Sequence, residues 1–186
     1  MNITVYCGAS VGNKPQYQQA AQALGEWIAK HQHQLIYGGR RAGLMGIVAD
    51  SVLARHGTVT GVIPTFLQER ELAHPSLTEL IVVKNMPERK LKMIELGDAY
   101  IALPGGPGTL EEISEVVSWA RIGQNNNPCI FFDVEGYYQP LKAFYQQMVG
   151  NGFLSQTDLD CVLFSDDLAE IEQFIQNYRP PEIRRY

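Results

Sequence analysis

No apolar run in this sequence approaches the roughly 18 residues that a membrane span needs, so no membrane partner is expected. The first ten residues carry neither a basic stretch nor a long apolar one, and a secretory signal is not expected. Only three cysteines occur, Cys7, Cys129 and Cys161, with no CxxC spacing. They read as free, packed thiols in a reducing compartment, which points to a cytoplasmic protein. The four histidines, His31, His33, His56 and His74, form no HExxH or comparable ligand spacing. No metal site and no cofactor are expected. Basic residues are also scarce, 15 against 20 acidic ones, for a formal net charge of −5. That balance argues against a nucleic-acid partner held by bulk charge. Charged residues make up only 19% of the chain against 45% hydrophobic, which excludes a disordered one. The 186 residues suffice for one domain with a core that needs no staples.

What is present in excess is glycine, 17 residues, placed between short apolar runs and helical segments. Apolar runs at 3–7, 35–37, 58–63, 80–83, 99–103, 129–132 and 162–164 read as strands. Segments 15–31, 44–55, 87–96, 110–122, 139–149 and 167–178 carry apolar residues at helical spacing, and 66–76 is irregular with room for one helical turn. Strands joined by helices of ten or more residues imply crossover connections and a parallel sheet covered on both faces. The strands are continuously apolar, as strands buried on both faces should be. The expected fold is α/β: a doubly wound, Rossmann-like parallel sheet of about seven strands, in one domain over 1–178 with a mobile tail over 179–186. Such folds bind ligands beyond the carboxyl ends of the strands, near the switch in strand order. The loops after strands one, two, four and five are therefore the candidate site.

The loop after strand five reads LPGGPGTLEE from Leu103 to Glu112. Gly105, Gly106 and Gly108 let the backbone turn and let a ligand approach its N–H groups. The first amides of a helix lack partners and carry partial positive charge, which suits a phosphate. Thr109 can cap that helix or offer its hydroxyl to a phosphate oxygen. The string is neither GxGxxG nor GxxxxGK[ST], so dinucleotide and P-loop chemistry are not supported. Segment 86–93, MPERKLKM, opens a helix with Arg89 and Lys90 near its start, where the helix dipole disfavours cations. Two readings are open: an anion compensates them, either a substrate phosphate or a carboxylate such as Glu112, or they form a solvated basic face. Gly8 and Ser10 in CGASVGN line a ligand cleft or simply turn the chain. Gly38, Gly39, Gly43 and Gly46 in YGGRRAGLMG suggest close backbone approach, with Arg40 and Arg41 as phosphate, interface or solvated residues.

Together YGGRRAGLMG, GVIP, MPERK and PGGPGTLEE, in this order and spacing, resemble the LONELY GUY (LOG) family, whose members were often labelled "possible lysine decarboxylase". The resemblance covers roughly 3–174. It implies a cytokinin-activating phosphoribohydrolase that cleaves the N-glycosidic bond of a purine nucleoside 5′-monophosphate, AMP among them, to free base and ribose 5-phosphate. It also implies a homodimer. It places the catalytic pair on Arg89 and Glu112. Substrate contacts fall on Lys90, on Gly105, Gly106, Pro107, Gly108, Thr109, Leu110 and Glu111, and on Glu71 and Ser118. Two positions depart from the family pattern: Arg40 stands for the third glycine of GGG, and Pro87 for the histidine of MHERK. Three other readings compete with the hydrolase. They are a non-catalytic nucleotide-binding or sensor module, a decarboxylase with a Schiff-base lysine at Lys84 or Lys90, and an interaction protein. The last leaves PGGPGTLEE unexplained.

Overall fold

The computed structural model describes residues 1–70 and 72–182. Its seven strands are β1 (Asn2–Tyr6), β2 (Gln34–Tyr37), β3 (Thr58–Pro64), β4 (Glu79–Val83), β5 (Ala99–Ala102), β6 (Cys129–Phe132) and β7 (Val162–Ser165). They form one sheet in the order β4-β3-β2-β1-β5-β6-β7, with every pair parallel. The helices are α1 (Pro15–Lys30), α2 (Gly43–Leu53), α3 (Thr65–Gln68), α4 (Met86–Leu96), α5 (Pro107–Arg121), α6 (Gln139–Gly150), α7 (Gln156–Asp160) and α8 (Leu168–Asn177). The chain walks outward from β1 to β4, returns through α4, and walks the other way from β5. The reversal lies between β1 and β5, so the crevice between their carboxyl ends is where a ligand belongs.

Alternation along each central strand explains why helices cover both faces. Ile3 and Val5 of β1, Ala99 and Ile101 of β5, and Ile130 of β6 pack with α1, α2 and α8 in one core. Tyr6, Tyr100, Ala102, Cys129 and Phe131 pack with α4, α5 and α6 in the other. Thr4 points to this second face, where its hydroxyl donates to the Met93 carbonyl of α4 at 3.0 Å. A buried hydroxyl without such a partner would be costly, so this bond helps fix α4 against β1. The edge strand β4 is half-buried along its length, and Val82 is exposed.

Two elements differ from the sequence expectation. Helix α5 begins at Pro107, three residues before the expected start, because proline is tolerated in a first turn where its missing N–H is no loss. Thr109 therefore sits inside the first turn and is not the cap; Gly106 holds that position without a side-chain bond. Helix α7 was not expected; Ser155 caps it by accepting from the Asp158 amide. The expected tail is described to Glu182 and has no helix or strand there, and 183–186 lie outside the described residues. Arg40, in place of the family glycine, forms an antiparallel bridge with Ala73 and does not adopt a positive φ, so its backbone does not require glycine.

Candidate active site

Helix α4 carries Arg89 one turn from its start. Asn85 caps the helix by accepting from the Glu88 amide at 2.9 Å. The side chain of Arg89 reaches down onto the sheet, where Nε donates to the Val62 carbonyl of β3 at 3.1 Å. Its Nη1 donates to Glu112 Oε1 of α5 at 2.9 Å. Both side chains are buried, with 7% and 11% of their surfaces exposed. The anion that compensates Arg89 is therefore Glu112. Lys90, its neighbour, pairs with Glu111 at 2.8 Å and Glu115 at 3.2 Å, also on α5. The basic start of α4 is thus answered by protein carboxylates and is not a solvated face.

Burial pushes the Glu112 carboxyl above the usual carboxylate range. The Arg89 guanidinium pulls the other way, and the nearby Glu111 adds to the rise. A group shifted by desolvation beside a specific charge, at the switch in strand order, is a functional-site candidate. Cys7, at the end of β1, has its thiol pushed well up by burial and then by Glu112. A thiol held protonated is a poor nucleophile, in keeping with its reading as a packing residue. Hydrogen bonding to Glu111 raises Lys90 against the opposing loss of solvation.

The loop after β5 lies beside this pair. The Gly8 amide donates to the Pro104 carbonyl at 3.1 Å, which ties it to the loop after β1. A Cβ on Gly105 would lie 2.1 Å from Thr109 Oγ1 and 2.9 Å from the Gly8 amide nitrogen, so close packing explains that glycine. Gly106 and Gly108 are different. Neither has a positive φ, and a Cβ on either would meet nothing within 4 Å. Neither backbone strain nor this chain's own packing calls for glycine there, and both leave the turn open to a ligand. The amides of Gly108 and Thr109 precede the first intrahelical bond, from Leu110 to the Gly106 carbonyl, and remain free for an anion. Thr109 is buried within this turn. Leu110 and Glu111 are exposed beside it, as are Pro107 and Ser10.

Ser118 is not brought to the pair. It is exposed on α5, six residues beyond Glu112, which is about 9 Å further along the helix and a third of a turn away. Glu71 lies outside the described residues. Pro87 is exposed in the first turn of α4. Two site features carried no sequence signal. One is the Val62 carbonyl, a backbone group. The other is Tyr137 in the loop after β6, whose hydroxyl donates to the Gly105 carbonyl at 2.5 Å. A groove of about 1160 Å³ lies elsewhere, lined by Arg121, Phe153, Asp158, Cys161, Arg179 and Pro181. It lies at the far end of α5 and the amino end of β7, the edge opposite the one where this fold binds ligands. Among the described residues no cluster of three or more His, Cys, Asp or Glu could hold a metal, and no helix is long and apolar enough to cross a membrane.

The family described as "Possible lysine decarboxylase" matches residues 45–175. The cytokinin riboside 5′-monophosphate phosphoribohydrolase of Rhodococcoides fascians is 44% identical over 168 residues, covering 90% of this chain and 85% of that protein. The enzyme LOG7 of Arabidopsis thaliana, of the same name, is 39% identical over 178 residues, covering 96% and 82%. Among solved structures, the Moco carrier protein of Chlamydomonas reinhardtii superposes with a TM-score of 0.71 at 19% identity, over 94% of this chain and 97% of that one. The molybdenum cofactor binding protein of Rippkaea orientalis gives 0.68 at 19% identity, over 94% of each chain. Likeness at that identity concerns the fold alone.

Proposed function

This chain belongs to the LONELY GUY family, and we propose that it is a phosphoribohydrolase acting on a purine nucleoside 5′-monophosphate, with adenine or an N6-substituted adenine as the base. One observation carries the reading. A buried carboxylate–guanidinium pair lies one turn into a helix whose open glycine-rich start faces the switch in strand order.

In the reaction, water forms a bond to the anomeric carbon while the bond to the base nitrogen breaks. The bonding electrons leave with the base, which takes up a proton. The transition state resembles an oxocarbenium ion, so positive charge on the ribose must be stabilised and water must lose a proton. Glu112 does both, and its raised basicity suits a general base. Arg89 stays protonated; it orients Glu112 and offers charge and hydrogen bonds to the departing base, and it is not the proton donor. The free amides of Gly108 and Thr109, with the open turn at Gly105 and Gly106, the Thr109 hydroxyl, and Gly8 and Ser10 on the facing loop, hold the 5′-phosphate. Binding energy from that non-reacting group aligns the sugar with Glu112. Lys90 and Glu111 frame the substrate side of the pair, and Glu71 completes the proposed contacts.

The same proposal includes a cytoplasmic homodimer. The exposed apolar side chains Leu91 on α4 and Leu110 on α5 support a covered face, and light scattering tests it. The reaction is tested by incubating the protein with AMP and with N6-substituted AMP and separating free base by chromatography. Binding without release of base from any purine nucleoside monophosphate would overturn the enzyme reading in favour of a nucleotide sensor.

A further inference from the structure

We propose that Gly38 is a positioning residue for this reaction: its missing side chain gives the Arg89 guanidinium its seat against Glu112. The inference rests on the reading of Arg89 and Glu112 as the reacting pair.

A Cβ at position 38 would lie 2.0 Å from Arg89 Nη2 and 3.2 Å from its Cζ. The other close neighbour is Met45 Sδ at 3.1 Å. All three are atoms of flexible side chains, and no backbone atom ranks among them. Nor does conformation demand glycine here. Gly38 has no positive φ, whereas its neighbour Gly39 does, at +74°. An L-residue could adopt the backbone of Gly38 without strain, so what excludes a side chain is the guanidinium. The strand register explains how the two meet. Tyr37 of β2 is opposite Gly61 of β3, which sets Gly38 beside Val62 at the carboxyl edge of the sheet. The guanidinium is therefore held on three sides. Nε bonds to Val62, Nη1 bonds to Glu112, and Nη2 occupies the space a Cβ of residue 38 would take. A methyl group at 38 closes the third side and swings the guanidinium away from the carboxylate.

This geometry predicts an unusual combination for Gly38→Ala. The displaced atoms end a flexible chain, so the protein should still fold, but with Glu112 left without its partner it should melt below the wild type at neutral pH. The kcat should fall roughly a hundredfold, the scale of a misplacement near 1 Å in a catalytic constellation. KM should change less than about threefold, since the phosphate cradle is untouched. The acidic limb of kcat should move to higher pH, because the guanidinium no longer opposes the rise in Glu112. The other groups that face Glu112 are Lys90 on α4, Glu111 on α5, and Tyr6 and Cys7 on β1, and the substitution touches none of them.

Three measurements on the full chain test this. The first compares kcat, KM and pH profile of the wild type and Gly38→Ala. The second repeats the substitution in an Arg89→Ala background, where no guanidinium remains to displace and no further loss of kcat is expected. The third follows the Glu112 carboxyl by carbon NMR titration in both proteins, expecting an upward shift in Gly38→Ala. A wild type that releases no base would end the functional reading, while the titration would still decide the role of Gly38. An unshifted titration, a wild-type kcat, a further loss in the double variant, or a failure to fold would each overturn the proposal.

Discussion

Replacing Glu112 by glutamine separates what the buried pair does for catalysis from what it does for the fold. Glutamine keeps the shape and one acceptor oxygen, so Arg89 retains a partner at 112 as well as the Val62 carbonyl. The loss is the negative charge. General-base and charge-stabilising roles predict a fall in kcat of at least roughly a hundredfold. For stability, two effects oppose each other. Removing one member of a buried ion pair typically costs about 3–5 kcal/mol when the survivor is left bare. Against this, the Glu112 carboxyl is raised in the folded protein, burial outweighing the pull of Arg89. The sign follows from linkage. A carboxyl whose folded pKa exceeds its unfolded value stabilises the fold below the unfolded value and loses that stability as pH rises through the folded one. At neutral pH the ionised Glu112 is thus a net burden on the fold, and a neutral glutamine removes it. Glu112→Gln should melt at or above the wild-type temperature at pH 7, with the difference shrinking as pH falls and the wild-type carboxyl protonates. Calorimetry between pH 4 and 8 on both proteins, with base release measured at each pH, reads both quantities. A chain of this size loses about 2–4 °C per kcal/mol. A fall of roughly 6 °C or more at pH 7 would show that the pair holds the fold together, and near-normal base release would remove Glu112 from the chemistry.

Gly106→Ala places a methyl where the structure has open space, so KM should rise about tenfold, near 1.4 kcal/mol of lost binding. Its melting temperature should stay within about 2 °C, because the backbone at 106 is extended and alanine fits it. An unchanged KM would remove this turn as the phosphate cradle. Ribose 5-phosphate at a hundred times its Kd should stabilise the fold by about 2.7 kcal/mol, while ribose without phosphate should not; equal shifts in melting temperature would refute a phosphate-led site. Lys90→Met should raise KM by about tenfold and leave kcat near wild type, since Lys90 is paired to Glu111 and Glu115 rather than to the reacting carboxylate. A loss of kcat as deep as that of Glu112→Gln would place Lys90 among the reacting groups.

The sheet was legible because its central strands are buried on both faces. Runs such as Ala99–Ala102 and Cys129–Phe132 have no polar side to confuse the period, and the helices between them leave parallel order as the consistent outcome. The start of α5 was not, because proline and glycine read as a loop while their backbone is already helical. At the site, the dipole argument left a compensating anion and a solvated basic face both open for Arg89 and Lys90, and charge alone could not choose between substrate phosphate and Glu112. That choice depends on α4 and α5 lying side by side over β1 and β3, a tertiary fact. The Val62 carbonyl and the seat at Gly38 were illegible for a related reason. One is a backbone atom, and the other is an absence of side chain, whose meaning appears only when a residue 51 positions later packs onto it.

The family description speaks of lysine decarboxylation, and a phosphate cradle by itself would serve that chemistry too, since pyridoxal phosphate also presents a phosphate. The side chains beside the cradle discriminate. A Schiff-base lysine must be neutral to attack a carbonyl, and proteins achieve this by apolar burial or a neighbouring cation that depresses its pKa. Lys90, the lysine tied to the helix that follows the cradle, is pushed the opposite way by Glu111. Lys14 and Lys92 pair with Glu135 and Glu95, while Lys30 and Lys84 are exposed. Lys142 lies over the Phe164 ring. The carboxylate that burial shifts beside the cradle is Glu112, toward stronger basicity. On the proposed reading Glu112, beside Arg89, is the general base of a glycosidic hydrolysis, a role its raised basicity suits, and no lysine meets the Schiff-base requirement.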